Sequence, residues 1–296
     1  MTQTVAVFGA TGAQGAPVVA QARARGMTVR AVARDKKRVS QMHPDAKPFT
    51  AALGDKDAIA TALDGVDAAF LHLPIPAGPD DIQTWMAAFL GAAHQVALPL
   101  LVFTTGGPTG DRYPSSVVVD AGTAGMKGLL ASGIPTIVLR PALYLENLLP
   151  PMFAPSLRDR GILDYPPFAA DLKVQWTSHQ DQARIAVAAM ARPDLAGRHF
   201  EIGTPDALTG PELAALVSGW LGRDVRFDPI TPAQFGERVG DALGNPAAGF
   251  ALTDLYGSIA KLRGDEMAID TNALEKTFDV QLVQVADHIM HWQTGG

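Results

Sequence analysis

The chain has 296 residues, 47% hydrophobic and 18% charged, which gives enough apolar material for one large or two unequal domains and excludes a disordered chain. The net charge of −6 offers no drive toward nucleic-acid backbones, so direct nucleic-acid binding is not expected. Cysteine is absent, which removes disulfides, thiolate metal sites and cysteine nucleophiles together. No apolar run reaches the ~20 residues of a membrane span, and the N-terminus shows no leader pattern, so a cytoplasmic protein without a membrane partner is expected.

In chain order, short apolar runs alternate with helical patterns. Strands are expected at Thr4–Phe8, Thr28–Ala33, Pro48–Ala52, Ala68–His72, Leu100–Thr104 and Thr136–Arg140. The intervening helices are expected near Ala13–Arg25, Asp55–Leu63, Asp80–Gln95 and Ala121–Ala131. The strands are apolar throughout, as in a parallel sheet covered on both faces. Residues 146–172 are proline-rich and lack a period, which predicts a loop-rich excursion. Strands at Lys173–Thr177 and Arg198–Gly203 then flank a helix over 181–191, and a mostly helical segment follows, with one short strand at Val225–Asp228. This predicts a domain of residues 1–150 to which 173–204 return, and a smaller, mostly helical domain of 205–296 with 151–172.

Gly9-Ala10-Thr11-Gly12-Ala13-Gln14-Gly15 directly follows the first strand and opens the first helix. Gly9 permits the tight turn, Gly12 lets the backbone approach a ligand closely, and Gly15 lets the helix pack against the strand. Such a turn presents backbone N–H groups and a helix N-terminus to a phosphate, so a Rossmann-type α/β fold binding a dinucleotide is expected. The nineteenth residue past Gly15 is Arg34, with Lys37 and Arg38 one turn further on. A guanidinium there suits the 2′-phosphate of NADP(H), whereas Asp35, if it faced the ribose, would admit NAD.

The glycine loop, Val-Ala-Arg-Asp at 32–35, Gly-Asp at 54–55, and Ser-Gly-Ile-Pro-Thr-Ile-Val-Leu-Arg-Pro-Ala-Leu-Tyr-Leu-Glu-Asn at 132–147 together resemble the NmrA-like group of atypical short-chain dehydrogenases/reductases. That group contains NAD(P)H-dependent quinone and triphenylmethane-dye reductases and a nucleotide-binding regulator. The resemblance implies that Gly9, Thr11, Gly12, Gln14 and Gly15 surround the pyrophosphate, that Arg34 with Lys37 or Arg38 meets the 2′-phosphate, and that Asp55 lies near the adenine. It further implies that Leu73 and Pro74 line the ribose, that Thr104, Thr105 and Gly106 flank the nicotinamide, and that Pro141, Leu143, Tyr144 and Asn147 form the pocket floor. Phe153 and Phe168, from the excursion, would wall the substrate pocket.

The tyrosine-lysine pair of short-chain reductases is missing. Tyr113, Tyr144, Tyr165 and Tyr256 are followed four residues later by Val117, Leu148, Ala169 and Ala260. The lysine slot kept by many NmrA-like proteins falls on Gly122, with Lys127 the nearest lysine and Met126 replacing a glutamate. Lys127, Tyr144 and Asn147 are therefore the candidates for assisting catalysis, and no metal site is expected. His72 reads as a satisfied core histidine, Asp181 as a helix-start residue, and His288 with His291 as a polar helix face. Ser115 and Ser116 lack an esterase elbow around them. The expected function is reduction of a quinone, enone or similar flat small-molecule electrophile by hydride transfer. The alternative is an NADP(H)-sensing regulator that acts through a protein partner.

Overall fold

The computed structural model describes residues 2–78, 80–113 and 115–292. Met1 and residues 293–296, at the ends of the two expected domains, lie outside them. The first half is a run of β-α units. Strands β1 (Thr4–Phe8), β2 (Thr28–Ala33), β3 (Lys47–Thr50), β4 (Ala68–His72), β5 (Leu101–Thr104) and β6 (Thr136–Pro141) alternate with helices α1 (Gly15–Ala24), α2 (Lys36–Met42), α3 (Lys56–Leu63), α4 (Asp81–Gln95) and α5 (Val117–Leu130). All six strands are parallel, because each returns through a helix laid across the sheet.

The second half adds the short strands β7 (Leu143–Tyr144) and β8 (Ile162–Leu163), then β9 (Val174–Thr177) and β10 (His199–Ile202), and finally β11 (Ala207–Leu208) and β12 (Arg226–Phe227). Its helices are α6 (Pro155–Arg160), α7 (His179–Met190), α8 (Gly210–Leu221), α9 (Pro232–Leu243), α10 (Pro246–Ile259), α11 (Thr271–Phe278) and α12 (Val285–Met290). The main sheet has seven strands in the order β10-β6-β5-β4-β1-β2-β3. The order reverses between β1 and β4, and in an open α/β sheet that switch point is where a ligand crevice forms. The glycine loop leaves β1 at this point.

Alternating residues of β1 enter different cores. Val5 and Val7 pack with α1 and α7 on one face, whereas Ala6 and Phe8 pack with α3 and α4 on the other. Both faces are dry, which explains why the strands read as continuous apolar runs. A third core, separate from the sheet, gathers Tyr165, Trp176, Trp220, Phe235 and Tyr256.

Three expectations are refined. The strand foreseen at Lys173–Thr177 exists as β9 but pairs with β7 and β11 in a small sheet, and only β10 extends the large one. The C-terminal segment is not confined to the third core either. Leu274, Phe278 and Leu282 return to the α1–α7 face, because α11 is amphipathic and its apolar stripe needs a cover. Helix α5 starts at Val117 rather than Ala121, since Ser116 caps it through the Val119 amide. Among the described residues no helix is long and apolar enough to cross a membrane.

Candidate active site

The glycines act as their spacing foretells. Gly9 adopts φ +70°, a left-handed conformation that disfavours any side chain. A Cβ on Gly15 would lie 2.6 Å from the carbonyl carbon of Gly9 and closer still to its oxygen, so only hydrogen allows α1 to start this near β1. The turn is closed by Gly12 N donating to Gly9 O at 2.9 Å, and Ala10 is held by Val32 O at 3.1 Å. His43, past the end of α2, lies 2.8 Å from Ala10 O and holds the loop from the far side. Gln14 occupies the N-cap of α1 without bonding the helix through its side chain. The first amides of α1 thus have no side-chain cap, unlike those of α2, α3, α5 and α7.

Arg34, Lys37 and Arg38 are all exposed directly after β2, and among the described residues none pairs with a carboxylate. Asp35 is turned away, because its carboxylate caps α2 by accepting from the amides of Lys37 and Arg38 at 2.8 and 3.1 Å. Asp55 caps α3 in the same way through the Ala58 amide at 3.0 Å. Three basic side chains and a capped acid therefore border the crevice beyond β2.

The side chain of Gln14 is tied to Tyr144 and Gln182. Its Oε1 lies 3.0 Å from the Tyr144 hydroxyl and accepts from Gln182 Nε2 at 3.2 Å. The same hydroxyl lies 2.7 Å from Gln182 Oε1, and Thr104 Oγ1 donates to that oxygen at 3.3 Å. Tyr144, Gln182, Gln14 and Thr104 thus form one buried polar network binding β5, β7 and α7 to the glycine loop. Burial raises the pKa of Tyr144, so this hydroxyl stays neutral and braces the loop. In Tyr144→Phe the network loses its one phenol proton, which Gln14 Oε1 and Gln182 Oε1 share, while Gln182 Nε2 and Thr104 Oγ1 still reach those oxygens. A loss of about 1–2 kcal/mol of stability is expected by urea unfolding, with weaker nucleotide binding; unchanged unfolding would remove the bracing role.

The pocket residues from the excursion sit deeper than expected. Phe153 packs edge-on to Tyr165 with centroids 5.6 Å apart, and Phe168 is buried. Asn147 Nδ2 donates to Tyr165 Oη at 3.1 Å, and that oxygen lies 2.6 Å from Tyr256 Oη. Phe168 thus belongs to the third core, half-buried Phe153 packs against it, and half-buried Asn147 bonds its Tyr165. Lys127 is exposed on α5 and is not brought to the glycine loop; the ring whose titration its charge affects is His199, which opens β10. At Gly122 a Cβ would meet the Thr109 methyl at 3.0 Å, so the lysine slot is tight as well as empty. Of the expected nicotinamide flank, Thr104 is fully buried, Thr105 Oγ1 donates to Gly107 O at 2.7 Å, and Gly106 takes φ +73°. Leu73 is half-buried and Pro74 exposed, while Pro141 and Leu143 are buried.

A model of the NmrA-like family matches residues 1–285. The chain belongs to the NmrA-like family. It is 30% identical over 227 residues to a (4-alkanoyl-5-oxo-2,5-dihydrofuran-3-yl)methyl phosphate reductase of Streptomyces griseus, covering 76% of this chain and 77% of that protein. It is 28% identical over 256 residues to an NAD(P)H azoreductase of Xenophilus azovorans, covering 85% and 86%. An NADPH-dependent quinone oxidoreductase of Escherichia coli, solved with NADPH, superposes with a TM-score of 0.77 at 22% identity, covering 97% of this chain and 99% of that one.

Three groups in this NmrA-like protein escaped the sequence reading. His72 is a core histidine placed under the glycine loop. Its ring nitrogens are buried against the backbone of Leu73 and Gly9, and burial lowers its pKa although those backbone contacts oppose the shift. The ring lies directly beneath Gly9, where a Cβ would be 3.0 Å from its Cδ2. Asp181 is not the start of α7, which Ser178 caps; it is a fully buried carboxylate holding Arg184 Nη1 at 2.6 Å and His288 Nε2 at 3.0 Å. His288 is accordingly buried, and only His291 lies on the exposed face foreseen for both. Ser178 Oγ lies 2.9 Å from the same nitrogen of His288, so serine and aspartate share one nitrogen and no hydrolytic triad forms. The third group is Glu146 with His179. The only trace of it in the sequence is the Glu-Asn pair at 146–147, of which the asparagine alone attracts attention.

Proposed function

We propose that this chain is an NAD(P)H-dependent oxidoreductase that transfers hydride to a quinone, enone or similarly flat conjugated small molecule, with NADP(H) as its cofactor. The observation that carries the reading is the glycine loop at the β1/β4 switch point, bordered by Arg34, Lys37 and Arg38 with Asp35 turned aside. The residues present fit the cofactor: the tight turn at Gly9 and the close start of α1 at Gly15 leave the first α1 amides without a side-chain cap, as a pyrophosphate site needs, and the three basic side chains suit a 2′-phosphate. When bound, a nicotinamide supplies the hydride. The chain's own part is to fix the loop through Tyr144 and Gln182 and to exclude water beyond β5 and β6. The family relatives support this chemistry, since one is named as reducing an unsaturated lactone phosphate and another as an NAD(P)H azoreductase.

The test is oxidation of NADPH, and of NADH in parallel, across quinones, enones, azo dyes and cationic dyes. Saturable turnover, faster with NADPH, is expected. In Arg34→Asp, NADPH binding should weaken roughly 10–100-fold, the loss of one charge-assisted phosphate contact, while NADH binding changes little. Equal losses would sink Arg34 as the selector. Tight NADPH binding without turnover on any acceptor would replace the reductase reading with that of a nucleotide sensor.

A further inference from the structure

The family's lysine slot is empty and the Tyr144 hydroxyl is sealed into a network, so a hydride acceptor in this crevice lacks an obvious proton source. A second polar cluster lies one tyrosine ring from the glycine loop. The His179 ring stacks on Tyr144 with centroids 4.7 Å apart and planes tilted 51°, while the Tyr144 hydroxyl touches Gln14. Behind His179, Glu146 Oε1 accepts from the His179 amide at 2.9 Å. Its other oxygen, Oε2, is buried without a hydrogen-bond partner and lies 3.6 Å from His179 Nδ1.

A carboxylate serving only to cap α7 would be ionised, with both oxygens supplied with donors or water. Glu146 Oε2 is buried with no donor at hydrogen-bond distance and faces the His179 ring, the environment of a protonated carboxyl. We infer that Glu146 and His179 form a proton relay for the reductase reaction, with Glu146 holding the proton and His179 passing it to the reduced acceptor.

This rests on the reductase reading above. As hydride passes from the reduced nicotinamide to the acceptor, a His179 Nε2–H bond breaks and an O–H, N–H or C–H bond forms on the acceptor. Nδ1 takes the proton from Glu146 Oε2; the pair resets when water reprotonates Nε2 and Nδ1 returns its proton to the Glu146 carboxylate. The pair consumes one proton per hydride, which balances the reduction. His179 is the catalytic residue and Glu146 acts through it.

The charges around the pair support that proton inventory. Burial, helped by the nearby Asp181 carboxylate on α7 and opposed by the His179 amide and by His288 on α12, pushes the Glu146 pKa up to about 7. Burial and the nearby His72 ring of β4 lower that of His179 to about 4. Arg184, also on α7, is engaged by Asp181. Near neutral pH the pair is thus a carboxylic acid beside a neutral imidazole, the state from which a proton is delivered. Because the protonated form is the competent one, kcat falls as pH rises through about 7.

Glu146→Gln and His179→Phe test the relay; the second keeps an aromatic ring against Tyr144. Each should lower kcat roughly 10–100-fold, the usual worth of a positioned acid, with NADPH dissociation constants and melting temperatures close to wild type. The limb of the kcat profile near pH 7 should vanish in both, and the double variant should be no slower than either single one, as for residues acting as a unit. In the nucleotide-free protein, infrared titration should show a protonated carboxyl band lost near pH 7 and absent from Glu146→Gln. Wild-type turnover with unchanged rate and profile in Glu146→Gln, or a carboxyl already ionised at pH 5, would overturn the relay and leave the reductase reading intact. No wild-type turnover on any acceptor would overturn both.

Discussion

Gly15→Ala should reduce NADPH affinity by more than about 100-fold and lower stability by roughly 2–3 kcal/mol, the cost of forcing extra volume into a closed contact. The added methyl group would fall on the Gly9 carbonyl, 2.6 Å from its carbon, and neither partner can yield cheaply. Gly9 is fixed by its left-handed φ and by the His72 ring beneath it, and α1 by its packing against β1 and α7. Relief requires α1 to slide outward, which withdraws its first amides from the crevice. Isothermal titration with NADPH and urea unfolding check the two effects, and Gly26→Ala serves as a control. Gly26 also has a positive φ, at +76°, but a Cβ there meets nothing within 4 Å, so that variant carries only backbone strain of about 1 kcal/mol. An affinity within threefold of wild type for Gly15→Ala would mean that the loop does not hold the pyrophosphate.

Asp181→Ala should be the most destabilising single side-chain truncation, at about 3–5 kcal/mol, or on the order of 10 °C in Tm. The Asp181 carboxylate has no solvent exposure and answers three donors at once: Arg184 Nη1, His288 Nε2 and the Val283 amide. Truncation leaves a nearly buried imidazole and an amide without their acceptor, strands the partly exposed Arg184 guanidinium, and removes the side chain that joins α12 to α7. Asp181→Asn, which keeps the shape and one acceptor, should lose roughly half as much. The next residue along α7, Gln182, belongs to the network that braces the glycine loop, so NADPH binding should weaken together with stability. A change below about 1 kcal/mol would show that the hub forms without net gain, as buried ion pairs sometimes do.

The nucleotide end of this protein is written locally. Gly9 needs its left-handed φ and Gly15 its contact with the Gly9 carbonyl six residues back, and Arg34 follows its strand at a spacing set by one βα unit. Both can be read without knowing how the chain folds elsewhere. Helix caps such as Asp35 and Asp55 are equally local, since each bonds amides two or three residues ahead. Capping bears on the question that Asp35 left open, because one oxygen of its carboxylate is already engaged by the Lys37 and Arg38 amides.

The reacting end is written at long range. Tyr144 reaches Gln14 across 130 positions, Gln182 reaches the same side chain across 168, and His288 reaches Asp181 across 107. No periodicity or motif carries such pairings. Asp181 therefore reads as a polar residue near a helix start, and His288 as half of a polar face. Aromatic residues in a proline-rich stretch give no sign of the core they will pack against, and Phe153 and Phe168 meet the third one. The sequence by itself determined the parallel sheet, the phosphate turn and the basic residues beside it, since those depend on backbone conformation and on neighbours a few residues away. Only the tertiary structure decided which histidine, carboxylate and tyrosine share one buried site, because burial and pairing are set by segments that meet when the sheet, α7 and the C-terminal helices close together.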